Sequence, residues 1–298
     1  MILAVTGITG HSGSFMLQQL IDNDFEGTLR CLVRESSNTK ALDESGLKVE
    51  KVVGSTKNAD DMLRFVSGAD TVMHISGIWE TPLLLEAIEK SGGDPHILLV
   101  HTSGIFSKHK MASEVYKNIE AGMEKYYAAG MNITILRPTM IFGDMRDHNI
   151  SKFIRMVAKL PVMPEVDRGA ALIQPVNARD LGQAYYKACM HGALPERSYI
   201  VSGERPVSIH ELCTLIGEYI GKKTRFISIP MGLAVFCAKV ICVLTGKKDR
   251  LLVEKVLRLG EDRSFSHEPA ARDFGYEPEK FETGLRREAE EFLKNAGK

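Results

Sequence analysis

Three glycines near the start of the chain have the spacing of an anion-binding loop. The segment Thr6-Gly7-Ile8-Thr9-Gly10-His11-Ser12-Gly13-Ser14 reads T-G-x-x-G-x-x-G, and it follows the apolar run Ile2 to Val5. In such a loop the first glycine, Gly7, permits the tight turn out of a strand. The second, Gly10, lets the backbone approach a pyrophosphate, and the third, Gly13, lets the following helix pack closely on the strand. The helix start then offers unbonded N–H groups and the positive end of its dipole to phosphate. Thr9, His11 and Ser12 are the side chains nearest that ligand. The chemistry implied is dinucleotide binding.

The next chemical signal follows the second apolar run, which ends Leu32-Val33-Arg34-Glu35-Ser36-Ser37. An acidic residue at this place binds the 2′-hydroxyl of NAD. Here Arg34 takes it, and a guanidinium suits a 2′-phosphate. Ser36 and Ser37 add hydroxyl donors. The expected cofactor is NADP, with NAD as the alternative that Glu35 keeps open.

These residues need a particular scaffold. Ile2 to Val5, Leu29 to Val33, Val49 to Val53, Thr71 to Ile75, Ile97 to His101 and Ile133 to Leu136 read as buried strands. Between them lie Ser14 to Asn23, Thr39 to Ser45, Ala59 to Ser67, Leu83 to Lys90 and Ala112 to Ala129, most with apolar residues at helical spacing. Alternating strands and helices imply right-handed crossovers and an α/β, doubly wound parallel Rossmann sheet. From about residue 150 helical patterns dominate: Ile150 to Leu160, Ala178 to Met190, Ser208 to Ile220, Met231 to Leu244 and Phe281 to Asn295. We therefore expect residues 1–150 to form the nucleotide-binding domain and residues 151–298 a smaller, mostly helical substrate region. The extended pieces near 173–180 and 198–201 are candidates to return to the main sheet, and Arg225 to Ile227 is a further short extended piece.

Composition bounds the function. Lys plus Arg and Asp plus Glu number 38 each, and such a balance argues against nucleic acid, which demands a basic excess. The five cysteines lie in apolar stretches without C-x-x-C spacing, as expected of reduced core thiols in a cytoplasmic protein. The N-terminus lacks the basic region of a signal peptide. The apolar run Met231 to Thr245 contains Lys239 and is too short for a bilayer span. A helix packed on the core or on a partner subunit is expected there, with no membrane partner. The nine histidines show no metal spacing, and a monomer or homodimer is expected.

Several segments together resemble the extended and atypical short-chain dehydrogenases, the superfamily of the NAD-dependent epimerases and dehydratases. Thr6 to Gly13 resembles its glycine motif. Gly68-Ala69-Asp70-Thr71-Val72-Met73-His74-Ile75-Ser76-Gly77 resembles its fourth-strand motif. Thr134-Ile135-Leu136-Arg137-Pro138-Thr139-Met140-Ile141-Phe142-Gly143 resembles its R-P-x-x-x-[YF]-G segment. Ile173 to Leu181, Ala270 to Pro278 and Gly284-Leu285 resemble later signatures. The resemblance implies an oxidoreductase or isomerase acting on a small carbonyl or hydroxyl compound. It adds Ser55, Ser76, Gly77, Pro138 and Met140 to the cofactor-binding residues.

The family's acid–base pair is Y-x-x-x-K, and this chain lacks it. In one register Glu120 matches a family glutamate, Tyr116 falls at the lysine position and Ala112 at the tyrosine position. In the other, Tyr116 is the tyrosine, Ser103 stands upstream as in the classical enzymes, and Glu120 replaces the lysine. The candidate catalytic residues are Tyr116, Ser103 and Thr102. Lys108, His109 and Lys110 are candidate contacts for an anion. Trp79 and the run Asp144, Arg146, Asp147 and His148 border the expected pocket. Two other functions stay open: an NADP(H)-binding regulatory protein without catalysis, suggested by the missing lysine, and a nucleotide-sugar epimerase with a rearranged acid–base pair.

Overall fold

The computed structural model describes residues 1–244 and 250–296. The first half alternates strand and helix: β1 (Ile2–Thr6), α1 (His11–Asp22), β2 (Thr28–Val33), α2 (Lys40–Asp43), β3 (Lys48–Val53), α3 (Ala59–Val66), β4 (Thr71–His74), α4 (Thr81–Ser91), β5 (His96–Val100), α5 (Lys110–Ala121), α6 (Glu124–Ala128) and β6 (Ile133–Pro138). The long helix expected over 112–129 is two helices, divided at Gly122 and Met123. Glycine is among the poorest helix residues, which makes Gly122 a natural place for the break.

The second half contains β7 (Ile141–Phe142), α7 (Ile150–Lys159), β8 (Met163–Val166), β9 (Leu172–Ile173), β10 (Val176–Asn177), α8 (Ala178–His191), β11 (Ser198–Val201), β12 (Val207–Ser208), α9 (Ile209–Tyr219) and β13 (Phe226–Ile229). It ends with α10 (Met231–Leu244), α11 (Arg250–Leu257), α12 (Glu268–Phe274) and α13 (Phe281–Ala296).

Seven strands form one sheet in the order β11-β6-β5-β4-β1-β2-β3, with every pairing parallel. The order reverses between β1 and β4, and such a switch point opens a ligand crevice at the strand carboxyl ends. Both faces are covered, so β5 and β6 are buried at every residue. β11 and β3 are the edges, and β3, expected to be buried, is largely exposed, with Lys48, Glu50 and Lys51 leaving it charged and disfavouring a further strand. One core joins the sheet to α1 and α8 through Met16, Leu20, Leu181 and Tyr185. The opposite core uses Phe65 of α3, Leu84 and Ile88 of α4, and Tyr126 of α6. A third core gathers Ile154 of α7, Leu212 and Ile216 of α9, and Leu285 of α13.

Residues 198–201 join the main sheet beside β6. Residues 173–176 do not: β9 pairs with β12 and β10 with β7. The short piece predicted at Arg225 to Ile227 is β13, paired with β8. Of the two placements expected for the apolar helix α10, packing on the core is not the one it takes. Only Ala238 of it is buried, and Phe236 is 62% exposed. Its described packing is mainly along α11. Cys31, Cys189 and Cys213 are core residues as expected, whereas Cys237 on α10 is exposed. Among the described residues no helix is long and apolar enough to cross a membrane.

Candidate functional site

The glycine loop closes tightly on the sheet. Gly7 has φ +74°, a left-handed conformation that favours glycine. A Cβ on Gly13 would stand 2.1 Å from the Gly7 carbonyl oxygen, so only glycine lets α1 begin this close to β1. The N-cap of α1 is Gly10, with no side-chain cap and no acid in the first turn. The first N–H groups of α1 therefore remain available to an anion. This cradle fits a dinucleotide pyrophosphate.

His74 braces the loop from β4. Its Nδ1 lies 2.8 Å from the Thr6 hydroxyl and its Nε2 lies 3.0 Å from the Gly77 carbonyl oxygen. A carbonyl can only accept, so Nε2 carries the proton and Nδ1 accepts from Thr6. Burial pushes the His74 pKa down to about 4, and the ring is a neutral brace rather than an acid or base.

A groove of connected cavities runs from this loop across the strand ends. At one end, about 530 Å³ is lined by Gly7, Thr9, Gly10, Arg34, Ser55 and Ser76 among the predicted residues. Ser37 and Lys57 lie on the same wall, whereas Glu35 and Ser36 do not. The Ser55 backbone is fixed by donation to Asp61 Oδ2 at 2.9 Å. Arg34 directly follows β2, whereas Lys57 stands four residues past the end of β3, in the loop before α3. Glu80 supplies one carboxylate to this cavity.

The central part, about 430 Å³, is lined by Gly7, Gly10, His11, Ser12, Gly13 and Ser76, and by Arg146, Asp147, His148 and Asn149 opposite them. A latch joins the two sides: His11 Nε2 lies 3.2 Å from Asp144 Oδ1, and Arg146 pairs with Asp144 at 2.7 Å. Burial alone would raise the Asp144 pKa, but bonding to His11 and Arg146 holds it well below the usual carboxylate range. Behind this loop Gly143, with φ +138°, donates its N–H to Glu288 Oε2 at 3.1 Å.

Ile141 and Asn149 connect the centre to a cavity of about 290 Å³ that contains Thr102, Ser103 and Met140. The Thr102 hydroxyl accepts from the Gly104 N–H at 3.0 Å and caps the 3₁₀ turn Ser103–Phe106. Ser103 is half-buried on the cavity wall. Tyr116 stands beside Gly104, its ring 5.6 Å from that of Trp79. Tyr116, Ser36, Gly77 and Pro138 line none of these three cavities. Ser107 and Lys108 are tethered by Glu261, which accepts from the Ser107 hydroxyl at 2.9 Å and the Lys108 N–H at 2.5 Å. The side chains of Lys110 and Ala112 lie outside the described residues.

Glu120 occupies a different network. Its carboxylate accepts from Arg137 Nη1 at 2.5 Å and Nη2 at 2.7 Å, and lies 2.9 Å from His101 Nδ1. His101 Nε2 in turn lies 3.0 Å from the Thr81 hydroxyl. Despite burial that would raise it, Glu120 is held at about 2 by His101 and Arg137. This carboxylate locks α5 to the ends of β5 and β6. Both registers considered from sequence keep Tyr116 one turn before it, on the Trp79 side.

Comparison with known proteins agrees with this geometry. The model of a family described as NAD(P)H-binding matches residues 7–164. No curated protein matches the chain significantly. Among solved structures, the chain is similar to the protein gox2253 (17% identity, TM-score 0.80, covering 99% of this chain and 98% of that one). It is also similar to a nucleoside-diphosphate-sugar epimerase from Pseudomonas aeruginosa (18% identity, TM-score 0.76, covering 99% and 98%). A third is the UDP-glucose 4-epimerase from Thermotoga maritima (16% identity, TM-score 0.72, covering 99% and 100%). At these identities the likeness is one of fold. With a matched model covering more than half of its length and the fold of the epimerases and dehydratases, the chain belongs to the NAD(P)H-binding family.

Proposed function

We propose that the protein is an NADP(H)-dependent oxidoreductase or isomerase acting on a small carbonyl or hydroxyl compound. The observation that carries the NADP choice is the wall beside the glycine loop. Arg34 and Lys57 both line it, and Glu35 does not. Two cations and the Ser37 hydroxyl suit a 2′-phosphate. The cofactor, when bound, exchanges hydride at its nicotinamide C4.

The protein's own groups would do the remaining work. The start of α1 binds pyrophosphate, and Arg34 and Lys57 hold the 2′-phosphate. Ser103, with Thr102 beside it, donates to the substrate oxygen as charge develops there. Tyr116 is the candidate to move the proton, and no lysine stands one turn after it. That absence, with Tyr116 resting on Trp79, favours a second reading in which the cofactor orders the protein without turnover.

Titration with NADPH and NADH tests the cofactor. Arg34→Ala should weaken NADPH by about 10- to 100-fold and leave NADH nearly unchanged, the cost of losing charge-assisted hydrogen bonds. Equal affinity for both cofactors in the unaltered protein would sink the NADP assignment. Following reduced-nicotinamide absorbance against a carbonyl panel tests the chemistry. Ser103→Ala should lower kcat by roughly 100-fold or more if Ser103 polarises the substrate. Tight NADPH binding without turnover across the panel would establish the second reading instead.

A further inference from the structure

Beyond the Ser103 cavity lies a larger one of about 570 Å³, bounded by α7, α9 and residues 255–263. Met140, Asn149, Arg258 and Arg263 line both cavities and so stand where they meet. Past that junction the wall is mainly apolar, built by Phe153, Met156, Met163, Ile209 and Ile229, with Lys152, Glu165 and Lys255 as its charged members.

The two arginines form no direct ion pair among the described residues, although the nearby Glu261 carboxylate attracts Arg263. Among the described residues neither guanidinium takes part in a hydrogen bond or ion pair, and the Nε of each is buried without an acceptor. The neighbouring acids bond to other groups rather than to the guanidiniums, and the donors to Glu261 and Asp262 are neutral. Glu261 holds Ser107 and Lys108, Asp262 Oδ1 accepts from the Leu172 N–H at 2.8 Å, and Glu165 Oε2 lies 2.8 Å from His210 Nδ1. Burial, and then repulsion from Arg258, lowers the pKa of Arg263. The backbone ties Arg263 to β9, where its N–H is bonded to the Leu172 carbonyl at 2.7 Å. Two half-buried like charges without acceptors are unfavourable in the free protein, and an anion would satisfy both.

The apolar wall limits what else that anion carries. A nucleoside would set many donors and acceptors against Phe153, Met156 and Met163 and leave them unsatisfied, each at a cost of about 1–3 kcal/mol. A hydrocarbon body carries no such penalty and gains from leaving water. We propose that the substrate is an amphiphilic anion, with a carboxylate or phosphate held by Arg258 and Arg263 and a hydrocarbon body in the larger cavity. This names the substrate class of the site proposed above and rests on that reading.

Calorimetric titration of the full chain, saturated with NADPH, tests it. The probes are n-alkyl phosphates and n-alkanoates of increasing length below their micelle concentrations, with octanol, inorganic phosphate and UDP as controls. Affinity should rise by about fourfold per added methylene until the cavity is filled. The series that binds more tightly identifies the head group, and either result supports the proposal. Arg258→Gln and Arg263→Gln should each weaken octyl phosphate by about tenfold or more while NADPH affinity holds. The chain-length series needs no variant and stands even if a substitution impairs folding. A flat series, or octanol or UDP binding as tightly as octyl phosphate, overturns the proposal. If NADPH binds and the whole series fails, this inference falls alone; if NADPH itself does not bind, the oxidoreductase reading falls.

Discussion

Glu288→Gln is expected to make the protein more stable at about pH 8, by about 2 kcal/mol, with a far smaller gain near pH 5. Glu288 is fully buried on α13. Its Oε2 accepts from Gly143, and the protonated carboxyl shares its proton in a side-chain hydrogen bond with Asp147. Burial first, and then the Asp147 carboxyl, push the Glu288 pKa up to about 10. The protein therefore holds a proton that the unfolded chain releases above pH 4.5. Stability from this group is complete below that pH and is lost steadily as pH rises towards 10. Glutamine keeps an acceptor for Gly143 and a permanent donor for Asp147 but has no proton to lose. Thermal melts of both proteins from about pH 5 to pH 9 should diverge as pH rises. A constant difference across that range would refute the shared proton. Asp147 lines the cavity beside the glycine loop, and with glutamine still donating to it NADPH affinity at about pH 8 should be retained in the variant.

The second large effect is a loss. Glu120→Ala should destabilise the protein by about 3 kcal/mol, lowering Tm by roughly 5–10 °C. The side chains of Arg137 and His101 are 8% and 0% exposed. Removing the carboxylate strands a buried guanidinium, which costs more than the ion pair itself contributes. The pH dependence has the opposite sign to that of Glu288. Glu120 is held at about 2, so its stability is present above pH 4.5 and lost as pH falls towards 2. The unaltered protein should lose about 2 kcal/mol of stability over that interval through this group, and the variant should not. A Tm change of less than about 1 °C would show that Glu120 does not bind α5 to the sheet. If it does, loosening α5 should also disturb Tyr116, one turn earlier, and lower turnover.

Local pattern carried much of the fold. The glycine spacing, the apolar strands covered on both faces and the arginine ending β2 were all legible, because each depends on residues within one turn or one strand of each other. Lys57 was not, since nothing in its own segment shows that the loop after β3 shares a wall with the end of β2. The partners of Glu120 were equally hidden. His101 and Arg137 lie 19 and 17 residues away and meet it only once β5 and β6 pair.

The sequence by itself determined that a glycine loop turns from β1 into α1 at Gly7, because tight turns and close helix packing demand glycine at those positions. Tertiary structure decided everything that needs distant segments to converge. It set Tyr116 against Trp79, bound Glu120 to Arg137, and folded residues 144–149 over the glycine loop. It also brought Arg258 and Arg263 to a cavity that opens from Ser103, more than 150 residues earlier in the chain. Side-chain charge and shape are written locally, but whether a charge finds a partner depends on which surfaces the packed cores bring together.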